Sequence, residues 1–466
     1  MKPYDFLIAG AGPCGIGAAW TLMKEFPDQR FLLVDASPQP GGNAASEITP
    51  EGFIFDHGGH VLYPHPEFIE FRRMLEALGC EWHESPPIRG VYLHGRLIPA
   101  PIQNNLHWLP KSELIPILGD LVRLRVRSCL TERKDPREGT LERYLRSEFG
   151  NELTRRVMDP LNRKMWAVPP SAMTSVWVRE RSGSRLRNVP AVRLRKLLKQ
   201  AILKFDDPGW DAFTKVKYPA RGGTGSIWRK AIAHLVPDQV RLNTAILEID
   251  SDRKTALLGD GSRVKYSRLL STIPLDILLS QIRDRPDMQP FANQLRKSSA
   301  LLFGYGIQDR ISDRYRGVHT FQCPDKHIPF WRVTIPSNVS PGNVPDPEQH
   351  YSVLCEISLP DSENRTISDN MRAQVRSGLN QLGLVREGAA IVSTFERVLH
   401  HGYPLPFLGR DDLLSIIHRR LAPSFIVSRG RFGGWRYETS NQDYAFTQGV
   451  QAARSLVSGA PETSYV

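Results

Sequence analysis

The amino-acid sequence predicts an α/β protein: a Rossmann-like, GxGxxG-bearing dinucleotide-binding domain with an inserted helical domain and an antiparallel β-sheet domain. Three observations predict it. The chain opens on an apolar run, a glycine-rich loop, a helical pattern and a second apolar run ending in an acid. Its middle repeats apolar residues at three- and four-residue spacing, and the stretch after residue 300 turns to short β-rich runs. At 466 residues the chain exceeds the size at which one hydrophobic core stops growing, so two or three packed units are expected.

Residues 4–10, YDFLIAG, are apolar enough for a buried strand. GAGPCG follows and sets Gly10, Gly12 and Gly15 in the GxGxxG spacing. A helical pattern then runs to about Phe26, and FLLVD forms a second strand ending at Asp35, twenty residues after Gly15. Glycines here permit a tight turn and a close backbone approach to a pyrophosphate at the helix N-terminus, and Asp35 is set to accept hydrogen bonds from a ribose. A second glycine loop, SPQPGGN, brings Gly41, Gly42 and Asn43 towards the same cofactor. Residues 266–274, YSRLLSTIP, read as a strand with a proline stop.

Between about 105 and 205 the pattern is helical, with Leu141, Tyr144, Leu145, Phe149, Leu153 and Val157 on one apolar face. Residues 179–204 are basic and hold a small SGS insert, which reads equally as a solvated face with a loop or as a flap over an anionic ligand. Strand-like runs follow (LLFGYGI, HTFQC, FWRVTI, YSVLCEISL), then a helix at about 365–382 and a last one from Tyr444. The expected division is a discontinuous cofactor domain (1–75, about 219–298 and 400–466), a helical domain (about 105–205) and a β-sheet domain (about 76–104 with 299–399).

Composition narrows the function. A hydrophobic fraction of 41% is ordinary for a globular protein. No apolar run is long enough for a bilayer, and the first one leads into the glycine loop rather than a cleavage site, so a soluble, cytoplasmic protein with no membrane partner is expected. Cys14, Cys80, Cys129, Cys323 and Cys355 are odd in number and lack a CxxC pair, which argues against disulfides and zinc. His57, His60 and His65 have no companion set of carboxylates or cysteines, so no metal is expected. The net charge of +12 is not arranged as a nucleic-acid motif. A small ligand carrying a diphosphate needs only a few arginines.

Six segments, EGFIFDHGGHVLYPH (51–65), IQNNLHWLP (102–110), NRKMWAVPP (162–170), YPARGGTGSIW (218–228), HGYPLP (401–406) and SRGRFGGWRYETSNQD (428–443), together resemble the UDP-galactopyranose mutase family. The likeness is to its eukaryotic-type branch, within the flavin amine-oxidase-like superfamily, where a strand like 266–274 returns to the cofactor domain. The resemblance implies FAD, active in its reduced form with NADPH or another reductant supplying electrons, and homo-oligomers. It also implies interconversion of UDP-galactopyranose and UDP-galactofuranose, an isomerisation without net redox change, through a reduced-flavin N5–sugar adduct.

By the same resemblance Arg332 and the flap residue Arg181 hold the diphosphate of a nucleotide sugar, with the hydroxyls of Tyr403 and Tyr437. His60, after Gly59, lies beside the flavin ring, while Arg431, Asn441 and Gln442 border the cofactor. Gln103, Asn162 and Trp166 match nucleotide-contacting positions. Ala100 and Val157 stand where the branch has aromatic residues near the uracil, and Thr320 and Gln322 replace an expected tryptophan and tyrosine. A different base or sugar is therefore open. The cofactor fold alone also leaves open a flavin oxidoreductase of the amine or protoporphyrinogen oxidase type, or a binding module without catalysis.

Overall fold

Strand β1 (Tyr4–Ala9) is apolar from Phe6 onward, and those four residues are fully buried. A strand covered on both faces requires such a run. It pairs in parallel with β2 (Phe31–Val34) on one side and with Arg263–Ser271 on the other. Val240–Arg241 and Ile426–Ser428 extend this parallel sheet at its two sides, and Ile246–Asp250 and Thr255–Leu258 add an antiparallel hairpin. The computed structural model describes residues 3–63, 65–130, 139–178, 193–207, 215–363, 366–439 and 441–465.

Helix α1 (Pro13–Glu25) connects β1 to β2. Pro13 occupies the first turn, where its missing N–H costs nothing, and Gly12 caps the helix without a side-chain hydrogen bond. The first N–H groups of α1 thus remain available to a ligand. The helix Gln442–Ser458 crosses α1 at backbone distance. A Cβ on Gly17 would lie 2.3 Å from the Phe446 carbonyl oxygen, and one on Gly449 would lie 1.9 Å from that of Cys14.

A second sheet runs in the order Ala390–Pro404, Lys297–Gln308, His350–Pro360, Arg332–Thr334, Thr320–Gln322, Arg89–Leu93, Arg96–Pro99. It is antiparallel except where Thr320–Gln322 meets Arg89–Leu93. Its register sets Arg397, Leu302, Glu356, Arg332 and Gln322 opposite one another on successive strands. Directly opposed residues share a face, so these side chains form one transverse row. The expected division at 399/400 is not a break in this sheet, because the edge strand Ala390–Pro404 runs through it without interruption.

All six apolar residues of the predicted helical face are buried, on Leu141–Leu153 and the turn Thr154–Met158 that follows. Thr140 caps the first of these, its hydroxyl accepting from the Arg143 N–H. Lys164, on the helix Asp159–Trp166, donates to the carbonyls of Cys323, Asp325 and Ile328 at 2.6, 3.0 and 2.7 Å. That clasp ties the helical layer to the turn between Thr320–Gln322 and Arg332–Thr334. Among the described residues no helix is long and apolar enough to cross a membrane.

Candidate active site

One cavity of about 610 Å³ runs from the glycine loop, past the loop 57–60, to Arg332, Tyr403 and Tyr437. Its size is that of a pocket for a sizeable organic ligand. At the first end Gly10 takes φ +102°, a conformation suited to glycine, and its N–H donates to the Val34 carbonyl. A Cβ on Gly15 would meet the Gly10 carbonyl oxygen at 1.8 Å. A Cβ on Gly12 would meet nothing within 4 Å, so that backbone faces open space above the helix end.

Asp35 also lines this end, and its carboxylate is held by the chain's own backbone. It accepts the Ala11 N–H at 2.5 Å and the Ser37 N–H at 2.7 Å, tying the glycine loop to the end of β2. Burial raises its pKa and the two N–H donors pull it back. Gly41, at φ +107°, donates its N–H to the Ala11 carbonyl, which sets the second glycine loop against the first. Asn43 reaches the His401 carbonyl at 2.9 Å.

Further along, the loop 57–60 forms a wall. Gly59 donates its N–H to Glu356 at 3.1 Å, and a Cβ there would lie 2.5 Å from the Thr334 hydroxyl. His60 follows with a buried Nδ1 that has no hydrogen-bond partner among the described residues. Burial first, then the cations Arg332 and Arg431, push its pKa down to about 3, so the imidazole is neutral at physiological pH. Arg431 donates to the Gly402 carbonyl at 3.0 Å and lies 5.2 and 5.7 Å from the rings of Tyr403 and Tyr437. Asn441 and Gln442 close this side at the N-terminus of the last helix, the Gln442 amide oxygen accepting from Trp228.

At the far end Arg332 forms a fork with Glu356: Nε to Oε1 and Nη2 to Oε2, both 2.7 Å. Burial works against the guanidinium's charge, and the adjacent carboxylate more than offsets that. The guanidinium also lies 4.5 Å from the Trp331 ring. Tyr403 points its hydroxyl at Glu356, and its ring meets Trp166, Trp331 and Tyr437.

Glu356 is the site residue that the sequence reading passed over. Its signal was a lone acid inside the apolar run YSVLCEISL, which needs a cation partner if buried.

Other expected positions lie elsewhere. Gln103, Asn162 and Trp166 do not line the cavity. Trp166 is fully buried, packs 4.7 Å from Tyr437 and donates its indole N–H to Asn162. Its ring packs edge-on against Tyr403 and Tyr437. Val157 is likewise fully buried within the helical core. Arg181 lies outside the described residues.

The donor set fits FAD. An uncapped helix end and two glycine loops suit a diphosphate, an acid at the end of β2 suits a ribose, and the cavity continues to an unpartnered buried imidazole. The family model for flavin-containing amine oxidoreductases matches residues 13–322. The chain belongs to this family. Within the flavin-containing amine oxidoreductases it is similar to a crystal structure of reduced UDP-galactopyranose mutase, with a TM-score of 0.89, 32% identity and coverage of 99% of this chain and 97% of that one.

A putative protoporphyrinogen oxidase from Exiguobacterium sp. 255-15 has a TM-score of 0.71 at 17% identity over 98% of this chain and 99% of that one, a likeness of fold. Among curated proteins, chloroplastic protoporphyrinogen oxidase 1 of Spinacia oleracea is 24% identical over 193 residues, 39% of this chain and 34% of that protein. The match spans about a third of the length of the chloroplastic protoporphyrinogen oxidases of Spinacia oleracea and Arabidopsis thaliana and 12% of a thiamine thiazole synthase of Fusarium vanettenii.

Proposed function

We propose that this chain is an FAD-dependent nucleotide-sugar mutase that interconverts pyranose and furanose forms, with UDP-galactose as the first substrate. The observation that carries the reading is the fork of Arg332 on Glu356, with Tyr403 and Tyr437, at the end of the cavity that begins at the GxGxxG loop. The likeness over nearly the whole length of a UDP-galactopyranose mutase supports it.

Reduced flavin, when bound, supplies the electron pair that displaces a nucleoside diphosphate from the anomeric carbon, with no net oxidation. The residues of the chain bind and orient. Glu356 occupies Nε and Nη2 of Arg332, which fixes the guanidinium plane and leaves Nη1 to a diphosphate oxygen. Tyr403 and Tyr437 offer hydroxyls beside it, and Arg431 adds positive charge from behind their rings. Neutral His60 offers one N–H donor and one acceptor nitrogen to the flavin end of the cavity, without adding charge there. Electrons come from NADPH or another reductant, and Arg181 belongs to the diphosphate set.

The test uses FAD-loaded protein reduced with dithionite under nitrogen and incubated with UDP-galactofuranose. Conversion to UDP-galactopyranose, followed by ion-exchange chromatography, is expected only in the reduced sample. No conversion with flavin fully reduced removes UDP-galactose as substrate. Oxygen uptake with an amine or porphyrinogen would move the chain to the oxidoreductases.

A further inference from the structure

The loop 429–437 carries Arg431 and Tyr437 into the cavity, and what holds the loop is a segment that no motif marks. After the last helix, residues 462–465 (ETSY) fold back onto it. Glu462 grips Arg429 with two bonds, Oε2 to Nε at 2.6 Å and Oε1 to Nη2 at 2.8 Å, with both side chains largely buried. The Tyr465 ring lies 4.2 Å from the Arg429 guanidinium and 5.5 Å from that of Arg436. Its hydroxyl donates to the Gly434 carbonyl at 3.1 Å and lies 2.6 Å from His418 Nε2. Gly434 has no room for a side chain on that account: a Cβ would meet the Tyr465 ring at 2.7 Å.

A second connection runs through the last helix. Gln448 accepts the Gly430 N–H at 2.8 Å and donates to the Thr439 carbonyl at 2.9 Å, gripping both ends of the cavity loop. Gln451, one turn on, accepts the N–H groups of Thr463 and Ser464, each at 2.8 Å. The loop therefore lies between the helix and the segment, with bonds from both sides to residues that flank Arg431 and Tyr437. Neither of those two is itself touched by the segment in these bonds.

We infer that Glu462 and Tyr465 are positioning residues, a strap that fixes the loop 429–437 so that Arg431 faces the flavin end and Tyr437 the diphosphate end of the cavity. The Tyr437 half rests on the nucleotide-sugar reading, whereas the Arg431 half rests only on the family's flavin.

The experiment compares wild type with Tyr465→Ala, Tyr465→Phe and Glu462→Gln in full-length protein. A control, Leu382→Ala, lowers stability from the separate core under the antiparallel sheet. FAD dissociation constants are measured by flavin fluorescence quenching, the visible spectrum of bound flavin is recorded, and UDP affinity is titrated on the loaded protein.

Tyr465→Ala is expected to weaken FAD about tenfold or more, a loss of one strong contact's worth, and to shift the flavin band. Tyr465→Phe keeps the ring over Arg429 and is expected to recover most of the FAD affinity, and Glu462→Gln to fall between. Leu382→Ala is expected to lower the melting temperature without moving either affinity. If Tyr465→Ala does not fold, Tyr465→Phe and Glu462→Gln decide. Folded strap variants with wild-type FAD affinity and spectrum overturn the proposal. Weakened FAD with unchanged UDP affinity overturns its Tyr437 half. Normal strap behaviour in a protein that never isomerises a nucleotide sugar would count against the proposed reaction alone.

Discussion

The fork between Arg332 and Glu356 makes a quantitative prediction. Removing one partner of a buried ion pair costs about 3–5 kcal/mol, because the remaining charge is left without compensation. Here the two halves are unequal. The Glu356 side chain is 2% exposed and that of Arg332 is 22% exposed, facing the cavity. Arg332→Ala strands a carboxylate that water hardly reaches, and the upper end of that range, about 4–5 kcal/mol, is expected. Glu356→Gln leaves a guanidinium that cavity water can solvate, and the amide oxygen can still accept the Gly59 N–H, so about 2–3 kcal/mol is expected. The double variant Arg332→Ala/Glu356→Gln carries neither charge. It should be more stable than Arg332→Ala alone, by about 2 kcal/mol, although it bears one more substitution. The assay is urea unfolding of flavin-free protein followed by circular dichroism, so that altered cofactor affinity does not enter. Additive losses, with the double variant least stable of all, would refute the argument that Glu356 is charged and held by Arg332.

Two glycines of the first loop should part company: Gly15→Ala places a Cβ 1.8 Å from a carbonyl oxygen and should disrupt the loop and flavin binding together, while Gly12→Ala meets no protein atom. Gly12→Ala should therefore leave the melting temperature of the flavin-free protein unchanged and weaken FAD on the order of tenfold, by fluorescence titration. His60, with a folded pKa of about 3 against about 6.5 unfolded, takes its proton first in the unfolded chain as pH falls. Its stabilising effect is whole above about pH 6.5 and is lost steadily towards about pH 3. Unfolding free energies from denaturant titrations between pH 6 and pH 4 should fall less steeply in His60→Asn, by at most about 1.4 kcal/mol per pH unit. His319 and His418, at about 4 and about 3, act with the same sign and remain in the variant, so some acid lability should persist. Equal slopes in the two proteins would mean that His60 is not held neutral.

The parts of the fold legible in the sequence are those that local physics dictates. Residues 4–35 read as strand, glycine loop, helix and strand because an apolar run, a positive-φ glycine and a proline-led first turn leave few alternatives. The face from Leu141 to Val157 read as helical because its spacing is helical, and it is buried. The strand Ala390–Pro404 was not legible. It is an edge strand of fifteen residues with little alternation in burial, and most of its order comes from pairing with Lys297–Gln308. Glu356 was visible as an oddity, yet its meaning depends on Arg332, 24 residues earlier, and on Gly59. Val157 closes the apolar face that its helical spacing predicted, and it lies in the helical core. The strap at 462–465 has no signature at all, because its partners are assembled only by the fold.

The cavity wall draws on residues 10–14, 57–63, 332, 356, 401–403 and 430–445. No short stretch of the chain contains even half of it, and residues 430–445 complete a wall that begins at the glycine loop. At roughly 5–20 residues per second, the glycine loop emerges well before the loop bearing Arg431. A dinucleotide is therefore expected to be held only once residues 430–445 are in place. A chain stopped before residue 426 would present a half-built Rossmann sheet, since Ile426–Ser428 would be missing from beside Arg263–Ser271, with its glycine loop open and no far wall to retain a nucleotide.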